Sequence, residues 1–340
     1  MPVPARSILV AASVAAAALL AAGQAAAWGS TGHRIISRLG ILTLPGELPA
    51  FLQDPVVVDQ IGELGREPDR SRGSGQPHDA DLDPGHFIDL TDDGLVLGGL
   101  SLDAMPPNKD AYSAALAKVG GSANKSGWLY YSILDGYQQL AKDFAYWRLD
   151  VVGEKRAADA KQRAWYAADR KERELIIVRD LGYWSHFVGD ASMPMHVSVH
   201  YNGWGDYPNP NNYTQDKIHG PFEGAFVHDH LTEATVKAAM TAPTPCAGPV
   251  AACTVAYFRA SQAKVAPLYA LWTDGAFKAA DPGAVAFDTE RVAAGASALR
   301  DLIVRAWRDS GDQTIGRPGV RVSAIEAGAP LSWDDMYGDD

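Results

Sequence analysis

The stretch WLYYSILDGYQQLAKDFAYW, Trp128 to Trp147, carries large apolar or aromatic side chains at 128, 131, 134, 137, 140, 144 and 147. Steps of three with a single four put these residues on one side of a helix, which strand alternation would not do. A stripe this wide is expected to face a core. Downstream, residues 153–170 are charged and Ala-rich, the pattern of an exposed helix, and they run into a strongly apolar segment at 171–189. Further helical periodicity occurs at about 31–42, 222–240, 254–278 and 285–309, and nothing reads convincingly as a sheet. The expectation is an all-α fold, a single multi-helix domain.

Between Glu67 and Met105 the chain is rich in Gly, Pro and Asp without a clear period. Loops of that length inside a domain tend to carry function. The acidic, irregular stretch 316–340 reads as a packed or frayed tail without chemistry. The first 27 residues read as a secretory signal: Arg6 is the positive start, Ile8 to Ala22 are apolar but too short and Ala-rich for an anchor, and Ala25-Ala26-Ala27 is the cleavage pattern. The expected organisation is therefore a signal over 1–27, a helical domain over 28–315 and the tail, in a protein secreted or held in the periplasm.

Cleavage after Ala27 would free the α-amine of Trp28. With a pKa near 8, such an amine loses its proton to a metal at modest cost, and its own carbonyl oxygen completes a chelate. His33 follows five residues later. The formal net charge is −11, of which the signal holds only Arg6, so a broad basic surface for nucleic acid is disfavoured. Any polyanion must be gripped locally. Cys246 and Cys253 are the only cysteines, and in an exported chain they are expected to form a disulfide that staples a loop.

All nine histidines lie between His33 and His230, and several sit close to carboxylates. His186 and Asp190 are four apart and share a helix face, while Pro194 ends that helix and lets His196 fold back. In His219-Gly220-Pro221-Phe222-Glu223, Pro221 suits the first position of a helix, placing His219 just before it and Glu223 in its first turn. Upstream, Glu67-Pro68-Asp69 and Pro84-Gly85-His86-Phe87 add a carboxylate and an imidazole, with Asp79, Asp81 and Asp83 competing for the role of Asp69. Imidazole and carboxylate without thiolate suit catalytic zinc, where positions stay open for water.

Taken in order, these motifs resemble the superfamily that joins bacterial zinc-dependent phospholipases C with single-strand-specific nucleases of the nuclease P-one type. The resemblance spans Trp28 to Glu223 and implies an all-α fold with three zinc ions. One zinc would be held by Asp69, His86, His186 and Asp190, a second by His196, His219 and Glu223, and a third by the amine and carbonyl of Trp28 with His33. Asp190 would bridge the first and third. The charge of three such ions outweighs that of Asp69, Asp190 and Glu223, so the pocket would be locally cationic in an acidic protein. The resemblance also implies catalysis by a zinc-activated water, oriented by the carboxylate at the Asp69 position, that attacks phosphorus in line with the leaving oxygen.

The two branches of the superfamily pull apart here. The Trp28 to His33 spacing and Phe87 after His86, where nucleases place a base-stacking Phe, resemble the nuclease branch. Glu223 after Phe222 resembles the phospholipase branch, Glu67-Pro68-Asp69 lacks the nuclease Trp-Ala-Asp pattern, and the interval from His86 to His186 is long for either. The reading favours a phospholipase C-like enzyme acting on a phospholipid headgroup, with a nuclease acting on single-stranded nucleic acid or nucleotides as the alternative. A zinc-binding helical protein without turnover is a lesser rival, and no Gly-x-Ser-x-Gly elbow supports a serine hydrolase. His78, His200, His228 and His230 are expected at the surface or behind the ligands. Trp204, Tyr207 and Tyr213 form either a pocket wall or a loop packed by its own aromatics. Mass spectrometry of the exported protein should give Trp28 as the first residue, and an added residue before it should weaken metal binding at the third site; a different start would count against the amine as ligand.

Overall fold

The helical periodicities resolve into helices in a computed structural model that describes residues 28–70, 75, 82–317 and 319–337. Residues 1–27, with the expected signal, and His78, Asp79 and Asp81 lie outside the described residues. Eight helices among the described residues have nine residues or more: α1 (Gly29–Leu42), α2 (Pro55–Leu64), α3 (Lys109–Lys118), α4 (Leu129–Arg156), α5 (Ala160–Asp190), α6 (Val250–Gln262), α7 (Val265–Thr273) and α8 (Pro282–Ser310). Strand structure there amounts to two short antiparallel pairs, Leu95–Val96 with Leu100–Ser101 and Thr314–Ile315 with Val320–Arg321. The fold is all-α. Among the described residues no helix is long and apolar enough to cross a membrane.

Local chemistry sets the helix starts. Asp54 and Asp281 cap α2 and α8, each followed by a proline whose missing N–H costs nothing in a first turn. Asp159 accepts the Gln162 N–H at 2.8 Å and starts α5 after the short connection 157–159, which folds α5 back along α4. The contact between these two helices is close: a Cβ added at Gly136 would lie 2.0 Å from Cδ1 of Trp184, whose Nε1–H donates to the Ile133 carbonyl at 3.0 Å. The stripe of α4 is core as expected, with Tyr131, Tyr137, Leu140 and Phe144 buried. Trp128, Leu134 and Trp147 are partly buried and pack against that core, Trp128 capping the helix rather than lying within it.

Two expected helices are broken. The segment 254–278 divides into α6 and α7 at 263–264, because Pro267 cannot donate and its ring would meet the carbonyl of Ala263 in a continuous helix. The segment 222–240 runs as a wide π turn, Pro221–Phe226, and a short α turn, Val227–His230; the chain restarts at Glu233–Ala239, where Thr232 and Thr235 form a capping box. The Cys246–Cys253 disulfide ties the preceding loop to the start of α6, as a staple should.

The tail boundary expected at 316 falls inside a packed unit. Ile315, Val322 and Ile325 bury themselves against Ala145, Leu149 and Tyr166 of α4 and α5, and Trp333 packs edge-on to Trp165 at 4.7 Å. Arg156 donates to the Ile325 carbonyl at 2.7 Å. An acidic composition concealed an apolar spacing too short to register as a helix. Gly136→Ala should destabilise the protein by about 1–3 kcal/mol through overpacking against Trp184, more than any helix-propensity gain returns. Thermal unfolding measures this, and an unchanged or raised Tm would show that the α4–α5 contact has room for a methyl group.

Candidate metal centre

The C-terminal end of α5 brings His186 and Asp190 to one face, with Nε2 of His186 3.5 Å from Oδ2 of Asp190. The helix stops at Asp190 through tight turns to Met193, and the Pro194–Val197 turn returns His196 toward the site. His219 and Glu223 converge from the other side, Nε2 to Oε2 2.9 Å. His219 is not ahead of the helix as expected but within its first helical turn, ahead of Pro221. A proline is tolerated there because first-turn N–H groups have no helical acceptor. The π widening that follows is a feature found often at functional sites.

Backbone carbonyls orient the rings. His186 donates from Nδ1 to the Gly65 carbonyl at 2.8 Å, His196 to the His86 carbonyl at 2.6 Å and His219 to the Tyr201 carbonyl at 2.6 Å. A carbonyl only accepts, so each ring carries its proton on Nδ1 and presents the lone pair of Nε2. The Nε2 atoms of His196 and His219 stand 3.1 Å apart with Glu223 beside them. Two lone pairs and a carboxylate converging in a buried site repel one another unless a proton or a metal ion lies between them.

Three groups of side chains place ligand atoms close enough to share an ion: His33, His186 and Asp190; Asp69, His86 and His186; and His196, His219 and Glu223. His186 belongs to both of the first two, and Asp190 of the first also reaches His86 of the second. Oδ1 of Asp190 is 3.4 Å from Nε2 of His33, while Oδ2 is 3.2 Å from Nδ1 of His86. Ligands on a tetrahedral zinc with bonds of about 2.0–2.1 Å would lie roughly 3.3 Å apart, so these separations fit a metal centre. Asp69 reaches His186 at 3.7 Å and His86 at 4.0 Å, and of Asp69 and Asp83, the candidates for this role among the described residues, it is the one grouped with these imidazoles. Its side chain is 14 % exposed, whereas Asp190 is fully buried.

Trp28 enters this centre through its side chain. The indole Nε1–H is shared between the Gly189 carbonyl and Ser192 Oγ, both at 2.9 Å, on either side of Asp190 in the sequence. Gly32 allows the approach, since a Cβ there would come within 2.8 Å of Cβ of Trp28. Trp28 also holds a left-handed backbone at φ 49°, which costs a residue with a Cβ about 1–2 kcal/mol. Its carbonyl accepts the Gly32 N–H at 2.9 Å and retains a second lone pair.

Beside His86 opens a groove of about 310 Å³ whose lining includes Trp128, Tyr183, Phe187, Gln139 and Arg179. The aromatic packed against His86 in this groove is Phe187, with ring centroids 5.3 Å apart. Phe87 is half-buried and packs on Gly127, whose added Cβ would strike the Phe87 carbonyl. Neither Phe187 nor Trp128 stood out in the sequence as a site residue, because each falls within a helical apolar pattern that reads as core.

Of the other histidines, His228 and His230 are exposed as expected, but His200 is buried. It stacks on Trp204 at 3.6 Å, donates from Nδ1 to the Trp204 carbonyl and meets Asp92 at 2.8 Å. Trp204, Tyr213 and Tyr269 pack on one another, so this loop is held by its own aromatics and one neighbour from α7. The chain matches no protein-family model, no curated protein and no solved structure in comparison with each of these sets. Asp190→Asn should weaken metal binding at the first two groups together, because the substitution takes an anionic oxygen from a residue of the first group that also reaches His86 of the second. Metal analysis of the purified variant tests this, and full metal content would overturn the shared role.

Proposed function

We propose that the protein is an exported, zinc-dependent phosphodiester hydrolase that binds three zinc ions, with phospholipase C-like specificity. The observation that carries the reading is the convergence of carbonyl-oriented imidazoles and carboxylates into three adjoining groups of ligand atoms. That donor set, nitrogen and oxygen without sulfur, fits zinc in a setting open to water. Divalent ions held there would polarise a phosphoryl oxygen, acidify a water and offset charge on the leaving oxygen. Asp190 and Glu223 are buried and suited to holding charge in place, while Asp69, partly exposed, is suited to orienting a water and accepting its proton at Oδ1.

The third ion in this reading takes the amine and carbonyl of Trp28 together with His33, and the anchoring of the Trp28 indole beside Asp190 supports it. The disulfide between Cys246 and Cys253 supports export. Phospholipase C-like specificity rests on the resemblance carried by Phe222-Glu223. The groove favours a second reading, a nuclease for single strands, because flat aromatic walls beside His86 suit stacking of a base.

Zinc-loaded protein incubated in parallel with phosphatidylcholine vesicles and single-stranded DNA separates the two. Chelator-sensitive release of diacylglycerol is the expected result. Nucleotide release instead would give the site to the second reading, and zinc binding with neither product would overturn hydrolysis of both substrates.

A further inference from the structure

Behind the second ligand group lies an acidic residue that the proposed centre does not use. Asp288 sits in the second turn of α8, fully buried, and among the described residues both of its carboxylate oxygens lack a hydrogen-bond partner. The ring of Phe287 lies 6.3 Å from that of Phe222, so Asp288 and Glu223, the next residue of each segment, belong to the same crossing of α8 with the π turn. The cation three residues further along α8, Arg291, is turned to Glu290, with Nε to Oε2 2.7 Å. Burial and the neighbouring Glu223 both press the Asp288 carboxyl well above the usual carboxylate range.

A buried carboxyl with neither hydrogen bond nor ion pair is expensive in either protonation state, and more so if ionised. A second carboxylate alongside raises the cost further. Such a residue suits a fold that is completed by a cation. Two turns along the same helix, Gly295 allows close packing on Ser192, the partner of the Trp28 indole, so one face of α8 backs the metal centre at two points.

We propose that Asp288 is a positioning residue of the metal centre, a fourth acidic side chain that acts through Glu223 to hold a divalent ion at the His196, His219 and Glu223 group. It lies outside the set of atoms close enough to share the ion, so it acts from behind the ligand. Its role is to hold negative charge where the ion needs it, at a cost to the metal-free fold. The inference rests on the metal centre proposed above but not on the reaction carried out there.

The test uses the full exported chain, unmodified and as Asp288→Asn and Asp288→Leu, and reads zinc affinity by competition with a chelator together with the Tm of the metal-free protein. The expected result is zinc binding at one site weakened by about 10–100-fold, the usual effect of losing a partner of a metal ligand. In the same variants, Asp288→Leu raises the metal-free Tm and Asp288→Asn does not lower it. These opposite signs mark the role, because a residue that merely supports packing would lower the Tm with and without zinc. Unchanged zinc affinity in both variants would overturn the assignment, and so would failure of both to fold, since the metal-free protein should tolerate losing this group. A parent that binds zinc but hydrolyses neither substrate would remove the hydrolase reading and leave this one intact; a parent that binds no zinc would end both.

Discussion

A single buried carboxylate organises the molecule. Asp190 is fully removed from solvent at the end of α5, with His33, His86 and His186 gathered round its two oxygens. An isolated carboxylate in that position would carry a desolvation penalty of several kcal/mol. The surroundings are arranged to offset it, and that requirement brings together elements far apart in sequence. The start of α1 supplies His33 and the loop system after α2 supplies His86, while His186 stands one turn back on α5 itself.

The helical frame makes such placement rigid. α1 packs on both α5 and α8, and its first residues are fixed by an indole hydrogen-bonded to the last turn of α5 and the residues just after it. Second interactions hold the rings of His186, His196 and His219 as well, through the carbonyls of Gly65, His86 and Tyr201. Atoms able to hold an ion are thereby fixed in advance, which would lower the entropy lost on binding one. The cost is a polar, charge-rich cluster buried within the helical bundle. Asp288 adds to that cost, and a metal ion is the kind of partner that would reverse its sign.

Much of the site was legible from spacing. His186 and Asp190 stand four apart on a helix, and helical geometry alone brings them together. The pairing of His219 with Glu223 was legible too, although the sequence suggested a helix starting two residues later than it does. What stayed hidden follows from the way apolar patterns mask function. Phe187 and Trp128 lie in runs where any aromatic reads as core, and only the opening of a groove beside His86 sets them apart. Asp288 lies far along the chain from every ligand, in a helix whose pattern gives no reason to single out one acid.

The amino-acid sequence by itself determined the all-α class, the helices of the frame and the residue types able to bind a metal, because helix periodicity and ligand chemistry are local properties. Tertiary structure decided that Asp69 comes beside His86 and His186, which nitrogen of His186, His196 and His219 faces inward, which aromatics line the groove and where the tail packs. Those outcomes depend on contacts between segments tens to more than a hundred residues apart, and on carbonyls whose direction is fixed only once the helices have docked. The proline of a helix start is written in the chain; the partner of a buried carboxylate is not.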